Sequence, residues 1–402
     1  MWPIVRRNGS VRCTAPIWAA AMQMLRGMRD SKWLSLVDLR TVNATVVTTS
    51  DPLVNQDIAN WNDQIAFLGQ NLISIFSASQ VIKAPGAYIA PGGIDSHVYL
   101  NQDNSLTGDF ETGARLAIAG GYHERDREKA CCDNGFNLIL TALAAKVVDE
   151  EFPILMHEGI SSVKLSDREL LDVKTRLCTT MPYHVQILLE DEATDRIIFV
   201  AGFIEVPILI MRMSSAIAAS HAAEHPMDLD ALWQGLSGGT FAIFLSDYAS
   251  DSNYHPRGKK AALSAAEAPL VCKILNRLPG VETRMTMLMS EGAELTSMNH
   301  AKLYGMRGQK GTIASGMIQT WSSVSPILPF TITNSALHND INYTRFEGIA
   351  VRNWPRFTIL RGTIVWDRDG KGVGGRVGYE NFIRKGESTM SRPRQEFENQ
   401  FS

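Results

Sequence analysis

The sequence predicts an α/β protein organised around a (β/α)8-type barrel. Three observations lead there. Between residues 91 and 310, strand-like runs alternate with helical stretches, the pattern of a parallel α/β arrangement. Polar or ionisable residues fall at the C-terminal ends of those runs, where a barrel assembles its active site. The stretch is about 220 residues long, within the roughly 200 to more than 400 that a barrel occupies.

The first barrel strand is read from Ala90-Pro91-Gly92-Gly93-Ile94-Asp95-Ser96-His97-Val98-Tyr99-Leu100. An apolar run meets a Pro-Gly-Gly break, and Ile94, Asp95 and His97 then read as a short buried strand. Side chains alternate along a strand, so residues 97 and 99 face the same way. A second imidazole at position 99 would reach the same metal ion as His97, but the residue there is Tyr99. Further strands are expected at 136–141, 161–165, 197–200, 208–211 and 240–246. With roughly six strands identifiable instead of eight, a distorted and incomplete barrel is the expectation.

Short strands flank this region. The β-branched run 42–48 is followed by 57–59 and 64–69, and 354–366 reads as two strands. Residues 1–37 carry Arg6, Arg7, Arg12, Arg26 and Arg29 with no acidic residue before Asp30. A disordered extension is expected there; a mitochondrial presequence is the alternative that an Arg-rich, acid-poor composition allows.

Composition excludes several classes. The chain has 402 residues, 45% of them hydrophobic, enough to bury a large core and a smaller second unit. A net charge of −3, with both signs interspersed, gives no electrostatic basis for binding nucleic acid or an anionic membrane. No apolar run reaches the ~18–20 residues of a bilayer span. Five cysteines, an odd count without metal-type spacing, fit a reduced cytoplasmic setting. Three motif matches are set aside. His221-Ala222-Ala223-Glu224-His225 has metalloprotease spacing, but Pro226 ends its helix at once. Gly370, Gly372 and Gly375 match a dinucleotide fingerprint without the βαβ unit it needs, and Cys131-Cys132 are adjacent.

Four stretches recur in one order: Pro-Gly-Gly-Ile-Asp-Ser-His at 91–97, Ser-Ser-Val-Lys at 161–164, Leu-Pro-Gly-Val-Glu-Thr-Arg at 278–284, and the run 337–366. In these the chain resembles the dihydropyrimidinase and hydantoinase family of the amidohydrolase superfamily. The resemblance covers most of 38–392, interrupted where family segments are missing, as at Tyr122 to Lys129 and near Pro226. It implies a barrel at 91–310 and a composite β-sandwich from 38–90 plus 311–375. An N-terminal extension, 1–37, and a C-terminal tail, 376–402, complete the division.

The implied reaction is hydrolytic opening of a 5,6-dihydropyrimidine or hydantoin ring to an N-carbamoyl amino acid. Two zinc ions would supply a nucleophile at neutral pH and a Lewis acid. In the family's pattern His97 is the first ligand and Lys164, once carboxylated, bridges the metals. Asp247 serves as ligand and catalytic base, and Asn276 meets the ring's amide edge. Three ligand positions are replaced. Tyr99 stands for the second histidine, Tyr183 for the third and Arg212 for the fourth. His184 follows Tyr183 one residue late, which on a strand turns it to the opposite face. An arginine cannot give up its proton to bind a cation. Tyr248 also replaces the histidine that trails Asp247 in the family. The resemblance therefore implies a small cyclic amide substrate, at most one zinc in this chain and a homotetramer. The rival reading is a non-catalytic homologue that keeps the scaffold for assembly or binding.

Overall fold

A computed structural model describes residues 6–7, 10–11, 36–48, 52–99, 110–119, 132–140, 146, 150–165, 242–249, 279–288, 294–324, 329–374 and 379–389, apart from a few single positions within these spans. The strands expected at 197–200 and 208–211 lie outside the described residues, as do Asp247, His184, Asn276, Tyr183 and Arg212.

In the N-terminal stretch, β1 (Arg6–Arg7) pairs antiparallel with β2 (Ser10–Val11). Asn8-Gly9 between them is the sequence signal for a two-residue hairpin. The main sheet begins at β3 (Leu36–Val47) and continues through β4 (Pro52–Trp61), β5 (Gln64–Gly69), β6 (Ser77–Lys83) and β7 (Tyr88–Pro91). The long β3 changes partners along its length. Its first half pairs parallel with β6, and Thr45 and Val46 pair parallel with β7. Asn43, at φ 59°, marks the switch, and register shifts flank it. Asparagine tolerates this left-handed conformation better than most side chains. Its N–H is donated to buried Asp57 Oδ1 (3.0 Å), whose other oxygen accepts from Leu72 N (2.9 Å).

The chain's other end completes this sheet. β12 (Thr320–Val324) pairs antiparallel with β7 on one side and with β15 (Pro355–Leu360) on the other. β16 (Thr363–Asp367) and β17 (Gly372–Val373) follow outward, making nine strands in a single mixed sheet. Leu39, Val46, Ile58, Ile65, Ile89, Trp321 and Ile359, drawn from both chain ends, share one core. A small ladder, β13 (Phe330–Thr331) with β14 (Ala350–Val351), lies beside Trp354.

Two parallel pairs stand apart from that sheet. β8 (Val98–Tyr99) pairs with β11 (Tyr248–Ala249), and β9 (Leu138–Leu140) with β10 (Val163–Leu165). The described α-helices are α1 (Phe110–Ala119), α2 (Phe152–His157), α3 (Val281–Leu288) and α4 (Asn299–Leu303), with a π-helical turn at Glu294–Met298 leading into α4. One core joins the two parts: Val98 and Tyr248 pack with Ala114, Leu116 and Met285 of the helices and with Leu360, Val365 and Trp366 of the sheet. Among the described residues, no helix is long and apolar enough to cross a membrane.

Two strand expectations need correcting. Residues 242–246 are not in a ladder, and the paired strand starts only at Tyr248. The backbone of Phe244 is engaged elsewhere: its N–H bonds Leu295 O, and its carbonyl accepts from Arg284 Nη1 and His300 Nε2. Ile94, Asp95 and His97 are buried but likewise precede the ladder, because the Ile94 N–H is taken by Thr296 O and its carbonyl by Arg284 Nη2.

Candidate active site

The site is built where β8 and β11 begin. Their parallel register sets Val98 opposite Tyr248 and Tyr99 opposite Ala249. His97, the residue before Val98, is buried at 5% exposure. Of the predicted ligand, base and substrate-binding positions, it is the one whose side chain is described. Tyr99 lies on β8, and Lys164 lies on β10 with its backbone opposite Ile139 of β9.

Beneath His97 lies a buried polar group. Asp95 Oδ1 accepts from the N–H of His97 (3.2 Å) and, at 3.4 Å, from that of Ser246. Its Oδ2 lies 3.2 Å from Arg284 Nη1, an ion pair with both side chains 97–98% buried but without hydrogen-bond alignment. The guanidinium instead donates to the carbonyls of Phe244 (2.7 Å) and Ile94 (2.9 Å). A charge at this depth needs both an opposite charge and hydrogen bonds; here the carboxylate's bonds come from backbone N–H groups and the guanidinium's go to backbone carbonyls.

His300 of α4 completes the group. Its Nε2 lies 3.2 Å from the Phe244 carbonyl, an acceptor, so Nε2 carries the proton. Nδ1 then accepts from Ser96 Oγ at 3.2 Å. Complete burial, with the Arg284 charge nearby, lowers its pKa to about 3, so the ring is neutral and both nitrogens are in use. It is not a spare metal ligand.

A second polar cluster ties the parallel pairs together. Asn137, just before β9, donates from Nδ2 to Ser96 O (2.9 Å), and its Oδ1 accepts from Ser162 Oγ, just before β10. Lys385 reaches in from the C-terminal segment. It donates to Phe136 O (2.8 Å) and Asn137 Oδ1 (2.7 Å), and lies 4.8 Å from the Tyr304 ring centroid. Elsewhere on α3, burial raises the pKa of the Glu282 carboxyl, and the hydrogen bond to Glu282 raises that of His338. The two groups lie 2.8 Å apart.

Sequence reading missed the roles of Asp95, Arg284 and His300. Asp95 and Arg284 were visible inside the two best-preserved motifs, and a charge held in an apolar context signals a buried partner of opposite sign. Nothing in the sequence around His300 set it apart.

No family model matches the chain. Curated relatives do. A D-hydantoinase of Geobacillus stearothermophilus is 24% identical over 461 aligned residues, covering 85% of this chain and 95% of its own length. A D-phenylhydantoinase of Escherichia coli (strain SE11) is 25% identical, covering 85% and 97%. Along most of its length the chain is similar to hydantoinases. Solved structures carry the same fold. D-hydantoinase from Bacillus sp. AR9 superposes with a TM-score of 0.76 at 21% identity, over 87% of this chain and 99% of that one. Dihydropyrimidinase from Brevibacillus agri NCHU1002 gives 0.73 at 23%, over 88% and 99%. Alignment with the Geobacillus hydantoinase spans 461 positions yet takes in 85% of a 402-residue chain, so that hydantoinase has stretches this chain lacks.

Proposed function

We propose that the chain is a hydantoinase-type cyclic amide hydrolase, built on a distorted barrel, that opens a hydantoin or 5,6-dihydropyrimidine ring to an N-carbamoyl amino acid. The register of β8 with β11 carries this reading. Val98 follows His97, Tyr248 follows Asp247, and the two followers are paired in parallel. The residues that precede that pair in sequence, His97 and Asp247, are the ones this reading assigns to the site.

Zinc takes three or four protein donors, and His97, a buried imidazole, suits one place. Asp247 and, once carboxylated, Lys164 would supply others. Tyr99, Tyr183 and Arg212 leave the rest of the set short, which limits the chain to a single ion, weakly held. Bound zinc supplies a Lewis acid for the ring carbonyl. Asp247 takes a proton from the attacking water and returns it to the ring nitrogen as the carbon–nitrogen bond breaks. Asn276 orients the ring through its amide edge.

The substitution of three ligand positions favours a second reading, a scaffold without catalysis. Ring opening of hydantoin and dihydrouracil with added zinc separates the two, measured on the chain and on Asp247→Asn. Turnover that Asp247→Asn abolishes supports the hydrolase; equal rates in both support the scaffold. The family resemblance also supports a cytoplasmic homotetramer and the domain division given above; light scattering and limited proteolysis test these.

A further inference from the structure

We propose that Asp95 is a positioning residue, a clasp that holds together the two chain segments that lead to His97 and Asp247. This rests on the hydrolase reading of the same site. One carboxylate oxygen accepts from two backbone N–H groups far apart in sequence, that of His97 and, less closely, that of Ser246, 151 residues from Asp95 itself. These are the last described backbone donors before the paired residues Val98 and Tyr248.

The clasp is anchored from behind. Arg284 on α3 donates to the carbonyl of Ile94 in one segment and of Phe244 in the other, and its charge lies against Asp95 Oδ2. His300 on α4 repeats the pattern, with Nδ1 on Ser96 and Nε2 on Phe244. Residues 94–97 and 244–246 thus share side-chain partners instead of a strand ladder. A ladder fixes its own register, whereas two unladdered segments depend on these side chains. Asp95 and Arg284 are both almost fully buried, which makes their mutual charge balance essential to the arrangement.

The test uses the full chain and two variants. Asp95→Asn keeps the shape and one acceptor oxygen but removes the charge opposite Arg284. Arg284→Lys keeps a cation but loses the second donor. Hydrogen exchange is followed in peptides covering 94–98 and 244–248, and in Pro355–Leu360 of the sheet as reference. Exchange in both lead-in segments is expected to rise on the order of tenfold while the sheet is unchanged. With added zinc, kcat should fall about a hundredfold with KM within about twofold, because misplaced groups lose transition-state alignment.

Unchanged exchange in the two segments overturns the proposal. So does an equal rise everywhere, or failure of both variants to fold, since either makes Asp95 a general stability element. If the unsubstituted chain turns over no faster than Asp247→Asn, the hydrolase reading has failed, and the exchange pattern alone decides whether the clasp exists.

Discussion

His300 holds two hydrogen bonds, and protonation would break one of them, since a doubly protonated ring cannot accept from Ser96 at Nδ1. Its pKa lies at about 3 in the folded chain against an ordinary 6.5, so between those values the unfolded chain binds the extra proton. The stability it contributes is therefore full above pH 6.5 and is lost as pH falls toward 3, at about 1.4 kcal/mol per pH unit. Urea denaturation from pH 7 to pH 4 should show a steeper decline for the unsubstituted chain than for His300→Gln; parallel slopes would refute the assignment. The metal count follows from the same residue-level chemistry. With Tyr99 and Arg212 in place of imidazoles, elemental analysis after zinc loading should find no more than one equivalent per chain. Ring opening is expected at least about three orders of magnitude below a complete two-metal site, roughly 4 kcal/mol of transition-state stabilisation. Tyr99→His with Arg212→His should restore part of it, if His184 can also reach the metal. At this scale the sequence was informative where chemistry dictates residue type: His97 stood out because it sits in a buried Pro-Gly-Gly-Ile-Asp run. His300 did not, because its role depends on the Phe244 carbonyl 56 positions away in the chain, a proximity that only the fold creates.

The C-terminal segment 381–389 behaves as an element without regular structure, held by partners scattered along the chain. Ile383 N bonds Asn134 O (2.6 Å), Lys385 N bonds Gly159 O (3.0 Å), and Gly386 N bonds Gly305 O (3.0 Å). Gly305 sits at φ +67°, and a Cβ there would lie 2.1 Å from Gly386 O, so no side chain fits. Gly305→Ala should cost about 3 kcal/mol or more and release the segment. Trypsin cleavage at Arg384 or Lys385 reports it, Lys385 being buried at 5% exposure in the intact fold. At Gly386 the corresponding Cβ meets Gly305 O at 3.4 Å, so Gly386→Ala should be clearly milder. Cleavage equal in the two variants would show that backbone crowding at Gly305 is not what seats the segment. The sequence showed no period here, because each backbone bond goes to a different loop. By contrast β15 and β16 were legible in 354–366. Arg361 and Gly362, both at positive φ, make a tight turn between two alternating runs, a signal that is entirely local.

At the scale of the whole molecule, the sheet is assembled from chain ends some 230 residues apart, and β12 is the strand that joins them. Ser323 pairs with Ile89 of β7 on one side and Phe357 of β15 on the other, and is 1% exposed. It lacks a free edge, so a proline there removes a ladder hydrogen bond and sets a ring against a paired neighbour. Ser323→Pro should therefore cost at least about 3 kcal/mol, the scale of a proline inside regular structure. What distinguishes a joined sheet from two abutting ones is where the damage appears. If both ends form one cooperative unit, protection against hydrogen exchange falls together in β3 and β4 on the N-terminal side and in β15 and β16 on the C-terminal side. The shared core supports that outcome, since Trp321 packs with Leu39 and Ile58 from one end and with Ile359 from the other. Loss confined to β15 and β16, with β3 and β4 as protected as before, would mean that the first 91 residues hold their part of the sheet unaided and that β12 is an addition to it.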